Sequence, residues 1–183
     1  QSIDNNAQAA FMAPTTLLAE QHYINLKNYF PNFKDSIALL TGSTKLKEKE
    51  KIKNGLASGS IKLVVGTHAL FQDDVSFLLL GIIIIDEQHR FGVNQRLSLR
   101  SKNIKTALIP HQLTLTATPI PRTMAMSVYA NMDISIIDEL PPGRLPIQTT
   151  SLGMKKKDQL IGRIKEACLK GSQIYWVCAL IEE

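Results

Sequence analysis

The 183 residues (20.3 kDa) carry 21 Lys and Arg against 16 Asp and Glu, a formal net charge of +5 and a pI near 9.2. With 44% hydrophobic and 20% charged residues, and only 10 Gly and 8 Pro, collagen-like, low-complexity and disordered chains are excluded and a packed core is required. The longest apolar run, Phe77 to Ile85, covers nine residues, where a membrane span needs about 20, so no spanning helix fits. The opening QSIDNNAQAA has no initiator Met, basic n-region or apolar h-region, so it is read as lacking a secretory signal and as starting inside a longer protein. Cys168 and Cys178 lack CxxC or Cys/His ligand spacing, which argues against a zinc site or a disulfide scaffold and suits a reducing compartment. A charge of +5 favours a polyanionic partner but does not by itself identify one.

In chain order, short apolar β-branched runs alternate with helix-compatible stretches. The runs are 9–13 (AAFMA), 36–40 (SIALL), 61–65 (IKLVV), 81–85 (GIIII), 112–116 (QLTLT), 134–137 (ISII) and 173–178 (QIYWVC). This βα rhythm predicts an α/β fold with a parallel sheet. GIIII has no polar alternation, so both its faces should be buried, as in a central strand with helices on each side. Thr15 or Thr16 can cap a first helix that Pro31 closes, and Pro121 suits the first turn of a helix through PIPRTMAMSVYANM. TKLKEKEKIKNGLASG reads as an exposed helix with Glu48–Lys51 and Glu50–Lys53 pairs, its lysines a solvated face. In 155–170, Leu160, Ile161, Ile164, Ala167 and Cys168 form one helical face, expected to pack on a sheet, with Gly171 as a C-terminal cap. ELPPGRLP at 139–146 concentrates three prolines and reads as a linker; the residues after it are too few for an independent core.

Asp86-Glu87-Gln88-His89 follows the buried GIIII run, at the carboxyl end of a central parallel strand, where open α/β sheets bind ligands. An Asp there can hold Mg²⁺, directly or through water, and the adjacent Glu can polarise a water attacking a γ-phosphate. A DE pair that merely ends a strand is an equal reading of those two residues alone. Thr116-Ala117-Thr118-Pro119-Ile120-Pro121-Arg122-Thr123 follows another strand, so its hydroxyls can lie beside Gln88 and His89. TATP alone is an ordinary turn. DEQH followed by TATPIPRT is specific.

With these blocks and APTTLLAEQH, VVGTHALFQ, IIIIDEQHRFGVNQR, IDELPPGR and YWVCALIEE, the chain resembles the superfamily 2 helicases, and within them the bacterial RecG family of ATP-dependent DNA helicases, over essentially its whole length. The resemblance implies two RecA-like lobes with ATP between them. It places a first lobe at 1–138, lacking its Walker A strand and loop, a linker at 139–147 and a truncated second lobe at 148–183. It implies Asp86 as the Mg²⁺ carboxylate, reached through water in the family arrangement, Glu87 as general base, and Gln88 with His89 as the link to Thr116 and Thr118, with Arg122 in the same coupling block. Pro14, Thr15, Thr16 and Gln21 match the family's first DNA-contacting block, where a helix N-terminus can bind phosphate without reading bases. Gly42 and Gly66-Thr67-His68 are expected to act likewise. Simple capping by Thr15 and Thr16 is compatible with phosphate contact. His68 alone reads as a loop histidine, and Tyr175 and Trp176 as core or lobe-interface residues.

The implied function is ATP-driven movement on double-stranded DNA at forks and recombination junctions, by a monomeric motor in the bacterial cytosol with no membrane partner. DNA binding should be salt-dependent and nearly sequence-blind. The sequence contains no G-x-x-x-x-G-K-[ST], so the phosphate-cradling lysine is missing and the chain alone is expected to be inactive. Three alternatives stand beside this reading. The transcription-repair coupling factors share PTTLLA, HRFGV and TATPIPRT; a metal-dependent hydrolase would use Asp86, Glu87 and His89; a non-catalytic DNA-binding module would need these to be the natural chain ends.

Overall fold

The structure is a computed structural model that describes residues 2–92, 99, 101–104, 108–118 and 133–178. It divides into two compact units, Gln1–Ala130 and Asn131–Glu183. The first unit is built on five described strands, β1 (Gln8–Met12), β2 (Ile37–Leu40), β3 (Leu63–Gly66), β4 (Leu80–Ile85) and β5 (His111–Thr114). They form one parallel sheet in the order β2-β3-β1-β4-β5. Helix α1 (Thr16–Tyr29) connects β1 to β2, and α2 (Leu46–Ser58) connects β2 to β3.

Alternation along each strand sends side chains to both faces, and each face has its own core. Ala10, Met12, Leu40, Val64, Ile83 and Ile85 pack on one face with Ile52 and Leu56 of α2. Phe11, Val65 and Ile84 pack on the other with Ala19, Leu18, Tyr23 and Leu26 of α1. β1 is the central strand, pairing Ala10 with Val64 on one side and with Ile83 on the other. The expected double burial of GIIII holds fully on one face only: Ile83 and Ile85 are buried, while Ile82 and Ile84 are half-buried. β5 lies at the sheet edge, pairs with β4, and leaves Leu113 47% exposed.

Helix α2 is amphipathic, with Ile52, Gly55 and Leu56 buried under a lysine-rich outer face, so it is less exposed than its sequence suggested. Lys53 forms an ion pair with Asp74, across to another loop, instead of with the expected Glu50.

The second unit departs from expectation. Residues 134–137 and 173–178 form no strand, and Ile136, Ile137, Tyr175 and Val177 are largely exposed, with Trp176 half-exposed. A β-branched or aromatic run becomes a strand only when a neighbour takes its backbone hydrogen bonds, and this unit has no described strand to offer them. Helix α3 (Lys157–Leu169) forms as its periodicity predicts, but it buries no residue; Leu160, Ile161, Ile164 and Ala167 are only half-buried and Cys168 is exposed. Its C-terminal stop is local and survives. Gly171 adopts φ +87, the Ser172 N–H donates to the Ala167 carbonyl and the Gly171 N–H to the Cys168 carbonyl, which is a Schellman cap. Around Pro142-Gly143 the Arg144 N–H donates to the Pro141 carbonyl at 3.2 Å. The helix expected from Pro121 onward lies outside the described residues.

Candidate functional site

All five strands run parallel, so their carboxyl ends share one edge of the sheet. At about 4.8 Å per strand this edge spans about 20 Å. Across it, from β2 to β5, lie Thr41-Gly42, Gly66-Thr67-His68, Pro14-Thr15-Thr16, Asp86-Glu87-Gln88 and Thr116-Ala117-Thr118. Sequence-nominated residues spread over more than a hundred positions are therefore brought to a single rim.

At the β1 end, Thr15 is extended (φ −130, ψ 156) and its hydroxyl accepts the Leu18 N–H at 3.3 Å, so it is the N-cap of α1. Thr16 is the first helical residue; Thr15 and Gln21 are exposed, and Pro14 is half-buried. No acidic side chain occupies the first turn of α1. The helix terminus is thus open to an anion.

The β2 and β3 ends are tied together. The Thr67 N–H donates to the Leu40 carbonyl, and Gly42 lies close to the exposed His68 ring. Behind Gly42, the Thr41 N–H donates to the Thr44 hydroxyl at 3.0 Å and the Thr41 and Ser43 hydroxyls are 3.0 Å apart. Lys49 of α2 reaches the Gly42 carbonyl at 3.1 Å, bringing a positive charge to this loop. Thr67 is buried, and its hydroxyl has no hydrogen-bond partner among the described residues.

Gly66 has a packing reason to be glycine. A Cβ there would run into the Leu40 carbonyl oxygen and lie 2.9 Å from Leu70 Cγ. The backbone oxygen belongs to a paired strand and cannot give way, so Gly66→Ala should destabilise the protein by about 1–3 kcal/mol, read as a lower thermal midpoint. An unchanged midpoint would mean that β2 and β3 can separate without cost.

The two most specific motifs meet at the β4 and β5 ends. The Asp86 N–H donates to the Met12 carbonyl at 2.9 Å, and the Leu115 N–H to the Ile85 carbonyl at 2.8 Å. Two residues after Asp86, the Gln88 N–H lies 3.4 Å from the carbonyl of Leu115, the residue before TATP, so DEQH is tied to the backbone that leads into TATP. Between them Glu87 takes a left-handed conformation (φ 47, ψ 55), which ends β4 and starts the short 3-10 turn Gln88–Arg90. A non-glycine residue in that region carries a cost of about 1–3 kcal/mol, and such outliers concentrate at functional sites. The Thr116 hydroxyl accepts the Thr118 N–H at 3.2 Å and lies 3.0 Å from the Thr118 hydroxyl, so TATP is a hydroxyl-stapled turn. His89 lies in the 3-10 turn; Arg122 lies outside the described residues.

One contact was not foreseen. His22 Nε2 of α1 lies 3.0 Å from Asp86 Oδ2, and its ring centroid is 4.4 Å from that of Phe11. The signal was present in the sequence: His22 lies two helical turns after Thr15, on a helix whose N-terminus already had a candidate role. Two groups off this edge are displaced from their ordinary acidity. Burial pushes the Lys102 amine down, with Asp73 and Asp74 opposing, and the hydrogen bond from Lys53 holds the Asp74 carboxyl below its usual range.

Asp86 offers one half-buried carboxylate with one oxygen held by His22. Among the described residues no group of three His, Cys, Asp or Glu side chains could hold a metal ion. A single carboxylate of this kind fits Mg²⁺, which keeps several waters and uses one or two carboxylates plus substrate phosphates. No helix of the described residues is long and apolar enough to cross a membrane.

Comparison with known proteins agrees with this geometry. Over 183 residues the chain is 51% identical to the ATP-dependent DNA helicase RecG of Haemophilus influenzae, covering 100% of this chain and 26% of that protein. RecG of Thermotoga maritima is 47% identical over 96% of this chain and 22% of its own length. The chain thus spans about a quarter of the length of these relatives. Among solved structures, RecG bound to a three-way DNA junction superposes with a TM-score of 0.71 at 42% identity, over 90% of this chain and 21% of that one. The DEAD/DEAH box helicase family matches residues 1–127, and with its parallel α/β sheet and the DEQH block at the carboxyl edge the chain belongs to that family.

Proposed function

We propose that this chain is the central part of the motor of an ATP-dependent DNA helicase of the RecG type, acting on forks and junctions in DNA repair and recombination. The observation that carries the reading is the hydrogen bond from the Gln88 N–H of DEQH to the carbonyl of Leu115, the residue before TATP, on the edge that also holds the Thr15-capped helix. The similarity to RecG proteins over the whole chain supports the same reading and favours it over a coupling factor.

In this mechanism Asp86 would hold Mg²⁺, directly or through water, and Glu87 takes the proton of the attacking water. When bound, Mg²⁺ neutralises charge developing on the nucleotide's phosphate oxygens. Gln88 and His89 link this end to Thr116 and Thr118, with Arg122 in the same block. Pro14, Thr15, Thr16, Gln21, Gly42, Gly66, Thr67 and His68 form the DNA-facing stretch, using backbone N–H groups, hydroxyls and the nearby Lys49 charge on phosphates. The motor lobe extends to residue 138, 139–147 is the linker, and 148–183 begins a second lobe. The protein works as a monomeric motor in the bacterial cytosol.

The test is ATP hydrolysis by the full-length protein with and without a synthetic fork, beside the 183-residue chain. Fork-stimulated turnover is expected only from the full-length protein, because the chain contains no G-x-x-x-x-G-K-[ST] to cradle the phosphates. Comparable turnover by the short chain would overturn the mechanism.

A further inference from the structure

We propose that His22 is a positioning residue that orients the Asp86 carboxylate toward Mg²⁺ and ties that orientation to helix α1. The inference rests on the assignment of Asp86 above. Asp86 accepts and never donates when ionised, so at 3.0 Å the His22 Nε2 must carry the hydrogen and donate it to Oδ2. This bond removes one of two equivalent oxygens from competition and leaves Oδ1 as the oxygen presented to the ion. His22 is itself fixed: its backbone belongs to α1 and its ring lies against Phe11 of the central strand.

The same helix begins at the Thr15 cap, seven residues earlier, where the DNA-facing stretch lies. An α-helix is stiff over two turns, so a displacement of its N-terminus by a bound phosphate reaches His22 with little loss. Asp86 is therefore gripped from two directions, by the sheet through Met12 and by the DNA-facing helix through His22. Beside the Gln88–Leu115 bond between the β4 and β5 ends, this contact ties the β1 end of the rim to the β4 end.

The experiment measures equilibrium binding of a fluorescent ATP analogue to the full-length protein across a Mg²⁺ titration, with and without a synthetic fork, so that no turnover is required. His22→Phe keeps the ring against Phe11 and loses the donor; His22→Gln keeps an N–H donor on a flexible chain. His22→Phe is expected to raise the Mg²⁺ concentration for half-maximal binding by on the order of tenfold and to abolish its response to the fork, and His22→Gln to restore most of both, as for the loss and return of one hydrogen bond to a charged group. An unchanged Mg²⁺ midpoint and fork response in His22→Phe would overturn the proposal; should that variant not fold, an unchanged midpoint and response in His22→Leu would do the same. Asp86→Asn separates the two assignments. If it keeps Mg²⁺-dependent binding, the assignment of Asp86 fails; if it loses that dependence while His22→Phe does not shift, only the role of His22 fails.

Discussion

Glu87→Gln in the full-length protein is expected to lower DNA-stimulated ATP hydrolysis by at least about 10²-fold, with nucleotide and DNA affinity held near wild type. A positioned general base contributes on the order of 10²–10⁴ to a rate, and the amide keeps the size of the carboxylate while losing its ability to take a proton. The backbone argues that the effect will be chemical and not structural. Glu87 holds φ 47 and ψ 55, and its carbonyl accepts the Arg90 N–H at 2.9 Å, neither of which depends on the terminal oxygens. The left-handed turn also answers an objection raised by alternation, that adjacent carboxylates on a continuing strand face opposite ways. The strand stops at Ile85, so Asp86 and Glu87 are not consecutive strand positions. Steady-state kinetics and equilibrium nucleotide binding on the same preparation check the prediction, and hydrolysis within a few-fold of wild type would remove Glu87 from the mechanism.

Gln8→Leu should be among the most destabilising single changes in the first unit. Gln8 is 1% exposed, at the start of the central strand. Its Nε2 donates to the Leu56 carbonyl at 2.9 Å and the Ile61 carbonyl at 2.6 Å, and its Oε1 accepts the Leu79 N–H at 3.1 Å. One side chain thereby stitches the end of α2, the lead into β3 and the lead into β4 to β1. Leucine is close in size but can replace none of these bonds. The Leu56 carbonyl keeps the Gly59 and Leu78 N–H groups, whereas the Ile61 carbonyl and Leu79 N–H lose their Gln8 partner. Two partly buried backbone groups stripped in this way cost about 1–4 kcal/mol, a sizeable share of the 5–15 kcal/mol typical of a folded domain. Hydrogen exchange of the full-length protein reads it locally: protection of β1 and β4 amides should fall by on the order of 10²-fold. Protection unchanged within a few-fold would show that water replaces the side chain at no cost.

Strands β1 to β5 and helices α1 to α3 were legible because their determinants are local: β-branched runs of the right length, the Thr15 cap, the 155–170 periodicity and Gly171. Boundaries moved by one or two residues, as in β5, which begins at His111 and ends at Thr114 instead of spanning 112–116. The candidate site was legible for a related reason. In a parallel sheet every strand's carboxyl end falls on the same edge, so naming the residues after each strand already names one rim. The runs at 134–137 and 173–178 failed because β propensity describes a residue that fits a sheet, and their unit contains no described sheet to join.

What the sequence determined by itself was the α/β class, most elements and which segments follow the strands at the carboxyl edge of the sheet. Tertiary structure alone decided the strand order β2-β3-β1-β4-β5, which makes DEQH and TATP neighbours, and the contact of His22 with Asp86 across 64 positions. It also decided that Gly66 must lack a Cβ and that Gln8 must be polar inside the core. The physical reason is common to all four. Helix periodicity, caps and strand runs are set by neighbours a few residues away, whereas strand adjacency, a cross-sheet hydrogen bond and the space around a Cβ exist only once distant segments have packed.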